Sequence, residues 1–279
     1  MLLTRNYPPH PELAPYIRRH YVFAADLPED FAIEDSLLSE TAFVRILLRG
    51  QWEVEIGPGF WTDVSPVVVG GGNGRPLPVR VSGPFIVAGF SVRPSAWRSL
   101  FDRPARIYTD KMVPLQAAWG DIADRMFADI SAAKTDQKIV AAMEAGVRAQ
   151  LDVIGHPRID HEMAALEYIA RTDSTVKVEH LGPLLGLSVR QVERRCLASF
   201  GLSPKQVMRR SRFLDMATAL RGFSTPSEEE LAALRYFDQS HLNREFRHFA
   251  GMPPGAFAKA VTPLFTAGLK LRDEGKALT

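Results

Sequence analysis

Glu179-His180-Leu181-Gly182-Pro183-Leu184-Leu185-Gly186-Leu187-Ser188-Val189-Arg190-Gln191-Val192-Glu193-Arg194-Arg195 opens the stretch 179–257 that decides the fold of this 279-residue chain. Leu181, Leu184 and Leu185 fall at i, i+3 and i+4, the spacing of one buried helical face. Gly186 follows where a left-handed residue ends a helix without a Cβ penalty. Ser188 is placed to cap the next helix. That helix carries Val189, Val192, Cys196 and Phe200 on its expected inner stripe. Arg190, Glu193 and Arg194 lie on the other side, with Arg195 at the margin. A short helix, a tight glycine turn and a second helix with an Arg-rich outer face is the pattern of a helix-turn-helix.

The pattern then repeats. Gly201-Leu202-Ser203-Pro204 breaks the chain, and Ser203 is placed to cap a helix with Pro204 at its first position. This helix is expected to run to about Leu220, with Gly222 ending it. Ser227 and Glu230 have the capping-box spacing for another short helix, with Leu231, Leu234 and Tyr236 facing inward. Asp238 is placed to cap a last helix, Gln239-Ser240-His241-Leu242-Asn243-Arg244-Glu245-Phe246-Arg247-His248-Phe249, which Gly251 closes.

The stretch 237–247, followed by Gly251, Pro254 and Phe257, resembles the signature of the AraC/XylS family of bacterial transcription regulators. The first unit is similar through Leu181, Gly186-Leu187-Ser188, Arg194 and Phe200-Gly201-Leu202-Ser203-Pro204. The resemblance covers roughly the last hundred residues before the tail. Two departures stand out: Gly182-Pro183, where the family has an alanine after the first leucine, and Arg235, where it has a glycine at the second turn. The resemblance implies a sequence-specific DNA-binding regulator with two recognition helices in successive major grooves. It also implies double-stranded DNA as partner, a small-molecule effector at the N-terminal half, a homodimer contact and contact with RNA polymerase. On the recognition faces, Arg190, Glu193 and Arg194 of the first helix and Gln239, Ser240, Asn243 and Arg244 of the second are the candidates for base edges, since Arg suits guanine and Asn or Gln suits adenine. Lys205, Arg209, Arg210 and Arg247 are the candidates for phosphate.

Net charge is only +2, so bulk charge says little about partners. Its distribution says more. Between Arg171 and Arg221 ten basic residues stand against Asp173, Glu179, Glu193 and Asp215, which fits phosphate contact, while residues 1–150 are close to neutral. Cys196 is the single cysteine, so an intrachain disulfide, a cysteine–zinc cluster and a CxxC redox pair are excluded. The same count removes a repair enzyme that transfers methyl groups through a cysteine cluster. The N-terminus lacks the apolar run of a signal peptide and no segment is apolar enough to span a membrane, so a cytoplasmic protein is expected.

The N-terminal half reads as a small β-rich domain. Leu13, Tyr16, Ile17 and His20 have helical spacing. Strands are expected at 43–50 with Gly50 ending the first, then at 52–57, 67–69, 77–81 and 85–92. Gly70-Gly71-Gly72-Asn73-Gly74 is no phosphate loop, because no Lys-Ser/Thr or helix follows; a flexible hairpin is expected. His10 and His20 both precede the strands, so no clustered metal ligands or catalytic triad arise. Neither a catalytic residue nor a cofactor or metal site is expected. Helices follow at 115–130 and 138–153; the resemblance implies a dimer contact there, and the alternative is that they simply pack on the β domain.

The expected architecture is α+β: a β-rich sandwich or barrel-like domain with flanking helices (1–154), a helical DNA-binding domain (155–262) entered through the linker 155–160 with Asp160 as a helix cap, and a charged tail (263–279), frayed from Gly268 on. Two rival functions stand beside this one: a small-molecule sensor acting mainly through protein contacts, which a ligand bound in the β domain without DNA affinity would favour, and an enzyme using this domain to reach DNA.

Overall fold

The computed structural model describes residues 2–225, 227, 229, 234 and 239–276, with no statement on the side chains of Leu2 and residues 274–276. Its N-terminal half holds eight strands in one antiparallel sheet: β1 (Leu2–Tyr7), β2 (Ile17–Ala25), β3 (Ala32–Leu37), β4 (Phe43–Gly57), β5 (Phe60–Asp63), β6 (Val67–Gly70), β7 (Leu77–Val92) and β8 (Met112–Pro114). The order is β1-β2-β7-β4-β6-β8, with β3 added to β7 and β5 to β4. The long strands β4 and β7 pair with each other and each serves two further neighbours.

Gly50 does not end a strand; it lies inside β4. Its φ of 92° sits at register shifts between Leu47 and Gln51, and a Cβ there would lie 2.8 Å from that of Phe85. A bulge at a glycine bends the strand without terminating its pairing. The expected strands 77–81 and 85–92 likewise merge into β7. Nor is 13–20 a helix. Turn hydrogen bonds run from Leu13 to Ile17, and Ile17 then enters β2, where alternation and ladder bonds override a helical spacing of only a few residues.

Strand alternation divides the sheet into two faces. Val22, Val44, Ile46, Ala88 and Phe90 face one core. The helices that cover it are α1 (Trp97–Leu100), α2 (Gln116–Trp119), α3 (Asp121–Ala132) and α4 (Asp136–Ile154). Gly120, at φ 54°, splits the helix expected over 115–130 into α2 and α3. The opposite face gathers Trp52, Val54, Val79, Phe85 and Val87.

Residues 155–160 join α4 to the second half, and Asp160 caps α5 (His161–Thr172) by accepting from the Met163 amide at 3.0 Å. Then come α6 (Val178–Leu185), α7 (Val189–Ser199), α8 (Pro204–Leu220), α9 (Gln239–Ala250), α10 (Pro254–Phe257) and α11 (Pro263–Lys276). The first half of α8 closes a core with α5, α6 and α7 through Val207 and Met208. Its second half gives Phe213, Leu214 and Ala217 to a core with Phe246, Phe249 and Phe257.

Two expectations about flexible segments fail here. The tail forms helix α11 over Pro263–Lys276, with Leu264, Phe265 and Leu269 each at most 5% exposed, and its last three residues lie outside those described. It lies against β3 and α8, and the Leu264 and Phe265 amides donate to Asp35 at 2.8 and 3.2 Å. The charges along its sequence hid an apolar face at helical spacing. The glycine run 70–74 is a buried connection between the two halves. Asn73 is 1% exposed, and a Cβ on Gly71 would meet the Tyr108 carbonyl at 2.1 Å. These glycines allow close backbone approach rather than mobility.

Candidate nucleic-acid interface

The first helix-turn-helix forms as its local chemistry dictates. Gly186 ends α6 in the left-handed conformation, at φ 64°. Gly182 is required as well, since a Cβ there would stand 2.9 Å from the Leu187 carbonyl. This close packing of the turn accounts for the glycine where the resemblance would place alanine. Ser188 and Gln191 form a full capping box on α7, and Ser203 and Gln206 form another on α8. The Ser-x-x-Gln spacing of both boxes is readable in the sequence, a signal beyond the serine caps alone.

Arg190, Glu193 and Arg194 all stand exposed on α7, while Val192 and Cys196 are buried. Arg195 is half-buried; it donates to Asp160 at 3.0 and 2.6 Å and to Glu162 at 2.5 Å, tying α7 to the start of α5. Hydrogen bonding to Asp160 holds its guanidinium above the usual arginine range. Burial pushes the Cys196 thiol far up, so it stays protonated as a small core side chain. Two residues assigned to the inner stripe face outward instead: Leu184 is 60% and Val189 71% exposed. Both flank the turn between α6 and α7.

On α9, Gln239, Ser240, Arg244 and Arg247 are exposed and Asn243 is half-buried. Gln239 Nε2 lies 3.5 Å from Asn243 Oδ1. Glu245, Phe246 and Phe249 point inward. Leu234 is buried as expected. The Ser227–Glu230 capping box, Leu231, the turn at Arg235, Tyr236 and the Asp238 cap depend on residues outside those described.

The four phosphate candidates divide. Lys205 and Arg247 are exposed. Arg209 directs Nε at 2.8 Å and Nη2 at 2.7 Å to Glu245, so it fastens α8 to α9 with its charge largely neutralised. Arg210 does not reach the surface. It is 1% exposed and donates to the carbonyls of Asn73 at 2.8 Å, Ser39 at 3.3 Å and Glu40. Burial lowers its pKa to about 10, which leaves it charged near neutrality. Its partners lie in residues 39–73, a distance in sequence that no local pattern reveals.

Arg210 belongs to a larger ionic junction between the halves. The Glu40 carboxylate meets Arg171 at 3.0 Å, Arg18 at 3.4 Å and Arg272. Arg272 also holds Asp215 at 2.9 Å, and Arg18 also holds Glu167. Burial alone would raise the Glu40 pKa, but Arg272, Arg171 and Arg18 outweigh it and hold the carboxyl well below its usual range.

Residues 183–260 match the model of a helix-turn-helix domain family. Among solved structures the chain is similar to ToxT from Vibrio cholerae, at 10% identity and TM-score 0.48, over 92% of this chain and 98% of that one. A second structure, of ToxT from Vibrio cholerae O395, gives 9% identity and TM-score 0.45, over 94% and 98%. The AraC-like transcriptional activator CuxR gives 13% identity and TM-score 0.28, over 77% and 86%. No curated protein sequence matches the chain.

Proposed function

The C-terminal region is an AraC-type helix-turn-helix domain, and from that premise we propose that this chain is a sequence-specific DNA-binding transcription regulator in which α7 and α9 each read a major groove. The observation that supports this reading best is the outer face of α7. Arg190, Glu193 and Arg194 are exposed together on a doubly anchored helix, capped by Ser188 at one end and tied by Arg195 to α5. Side chains held on a fixed helix and, among the described residues, without a hydrogen bond or ion pair suit base-edge recognition. On α9, Gln239, Ser240, Asn243 and Arg244 take the same role. Lys205 and Arg247 contact phosphate. Selection of bound sequences from a random DNA pool tests the reading: enrichment of a defined motif supports it, and retention without enrichment removes sequence-specific regulation.

The N-terminal half, 1–154, serves in this reading as the effector domain. On the sheet face covered by α11 lies a cavity of about 140 Å³, walled by Phe23, Phe43, Val87, Leu264 and Phe265. Arg45 lines it, 4% exposed, its guanidinium 3.8 Å above the Trp52 ring. Among the described residues, Arg45 Nη1 and Trp52 Nε1 have no hydrogen-bond partner. Two unspent buried donors, one of them cationic, beside apolar walls suit a compact organic anion. Because α11 forms one wall and also packs on α8, occupancy would alter how the two halves meet. Thermal shift with a panel of small organic anions, on the wild type and on Arg45→Gln, tests it: stabilisation lost in the variant supports the site, and equal responses remove it.

A further inference from the structure

We propose that Val189 is a specificity residue of α7, reading the 5-methyl group of a thymine. The assignment rests on the DNA-binding reading above and adds to it an apolar contact that the polar residues of the helix cannot supply. Val189 is the first residue of α7 and is 71% exposed, although a valine there gains nothing from water. The neighbouring side chains show why it is free to face DNA. Val192, Cys196 and Ser199 form the buried side of the helix. Gln191 is exposed but committed, because its Oε1 accepts from the Ser188 amide at 2.9 Å in the capping box. Arg195 is held by Asp160 and Glu162. The exposed side chains left over are Val189, Arg190, Glu193 and Arg194.

Those four form one face. At 3.6 residues per turn, positions 189, 190, 193 and 194 fall within roughly 140° of arc, and Val189 stands directly one turn below Glu193. Side chains on a helix tilt toward its N-terminus, so Val189 projects ahead of the three polar residues. In a helix-turn-helix the N-terminal residues of the second helix meet the base edges. Thymine offers the one apolar group in the major groove, its methyl, and a branched aliphatic side chain is the complement to it. Arg190 and Arg194 would then read adjoining pairs.

The test uses the full-length chain and the DNA sequence it selects from a random pool. The half-site belonging to α7 is the one whose sequence preference relaxes in Arg194→Ala. Each thymine in it is replaced singly by deoxyuridine, which removes only the methyl. We expect one such position to lose about fourfold in affinity, the worth of one buried methyl-sized group. Val189→Ala should bind the thymine site correspondingly more weakly and ignore the deoxyuridine exchange. Val189→Ile should keep the penalty. Because Val189 is exposed, the melting temperature of Val189→Ala should match the wild type. An α7 half-site without thymine, an absence of any uridine penalty, or a penalty that persists in Val189→Ala would each overturn the assignment. Failure of the full chain to bind any DNA would instead bring down the DNA-binding reading, and Val189 with it.

Discussion

The Arg210 guanidinium, on the helix that links the two halves of the DNA-binding region, donates to the carbonyl oxygen of Asn73 at 2.8 Å, across 137 residues of sequence. Arg210→Ala should therefore lower stability rather than DNA affinity. The loss expected is about 1–3 kcal/mol, since buried carbonyls are left unsatisfied. Urea unfolding measures the first effect. The slope of affinity against salt checks the second, and it should stay unchanged. Lys205→Ala should do the reverse, weakening binding on every sequence and flattening that slope by about one unit.

Glu40 carries the ionic junction. Replacing it with Gln leaves Arg171, 3% exposed, without its carboxylate and Arg272 with Asp215 alone, at an expected cost of about 3–5 kcal/mol. The pH dependence has a definite sign. The folded carboxyl titrates well below its usual value, so the stability it gives is complete above the ordinary carboxylate range, near pH ~4.3, and is lost as pH falls through the lower folded value. The difference between wild type and Glu40→Gln should be flat from pH 8 to 6 and shrink below about pH 4. A difference that grows on acidification would contradict the assignment.

Arg194→Ala and Arg244→Ala should each cost roughly 1–3 kcal/mol on the preferred DNA site and relax its sequence preference. Competition between the preferred site and random DNA decides this. Equal losses on both would move the two arginines from bases to phosphate.

The helices α7 and α9 should protect two adjacent major grooves on one face of the duplex. The 17-residue α8 between the two units spans roughly 25 Å at 1.5 Å per residue, and the bodies at its ends bring the readers near the ~34 Å repeat of DNA. Hydroxyl-radical footprinting of the bound chain measures it. A single protected groove, unchanged by Asn243→Ala, would exclude α9 as a reader.

Deleting α11 by stopping the chain after Thr262 should cost about 3–6 kcal/mol, because Phe265 and Leu269 each bury a full apolar side chain against the aromatic cluster of Phe213 and Phe257. A fragment intended to isolate the DNA-binding region must accordingly include α11. Thermal unfolding of the two lengths compares them.

The local chemistry of the second half was legible in the sequence. Serine caps, left-handed glycines and an apolar period each act within four residues, so Ser188, Ser203 and Gly186 announce the turn they build. Exposure at the turn was not legible, because a helical stripe states which residues share a side but not where a neighbour stops. Leu184 and Val189 share the apolar stripe yet face outward for that reason. The fate of charged residues was less visible still. Arg190 and Arg210 look alike in sequence, yet one is exposed and the other is enclosed by carbonyls from residues 39–73. What separates them is long-range contact, which also turned the glycine run and the charged tail into buried structure.

The docking of α11 on β3 sets an order of events during synthesis. Asp35 meets the amides of Leu264 and Phe265, which follow it by 229 and 230 residues. At about 5–20 residues per second, a ribosome needs roughly 10–50 s to bridge that gap. Throughout that interval Glu40 has no Arg272 to hold, and the face of the sheet around Trp52 has no Leu264 to cover it. The junction can close only after α11 has been made.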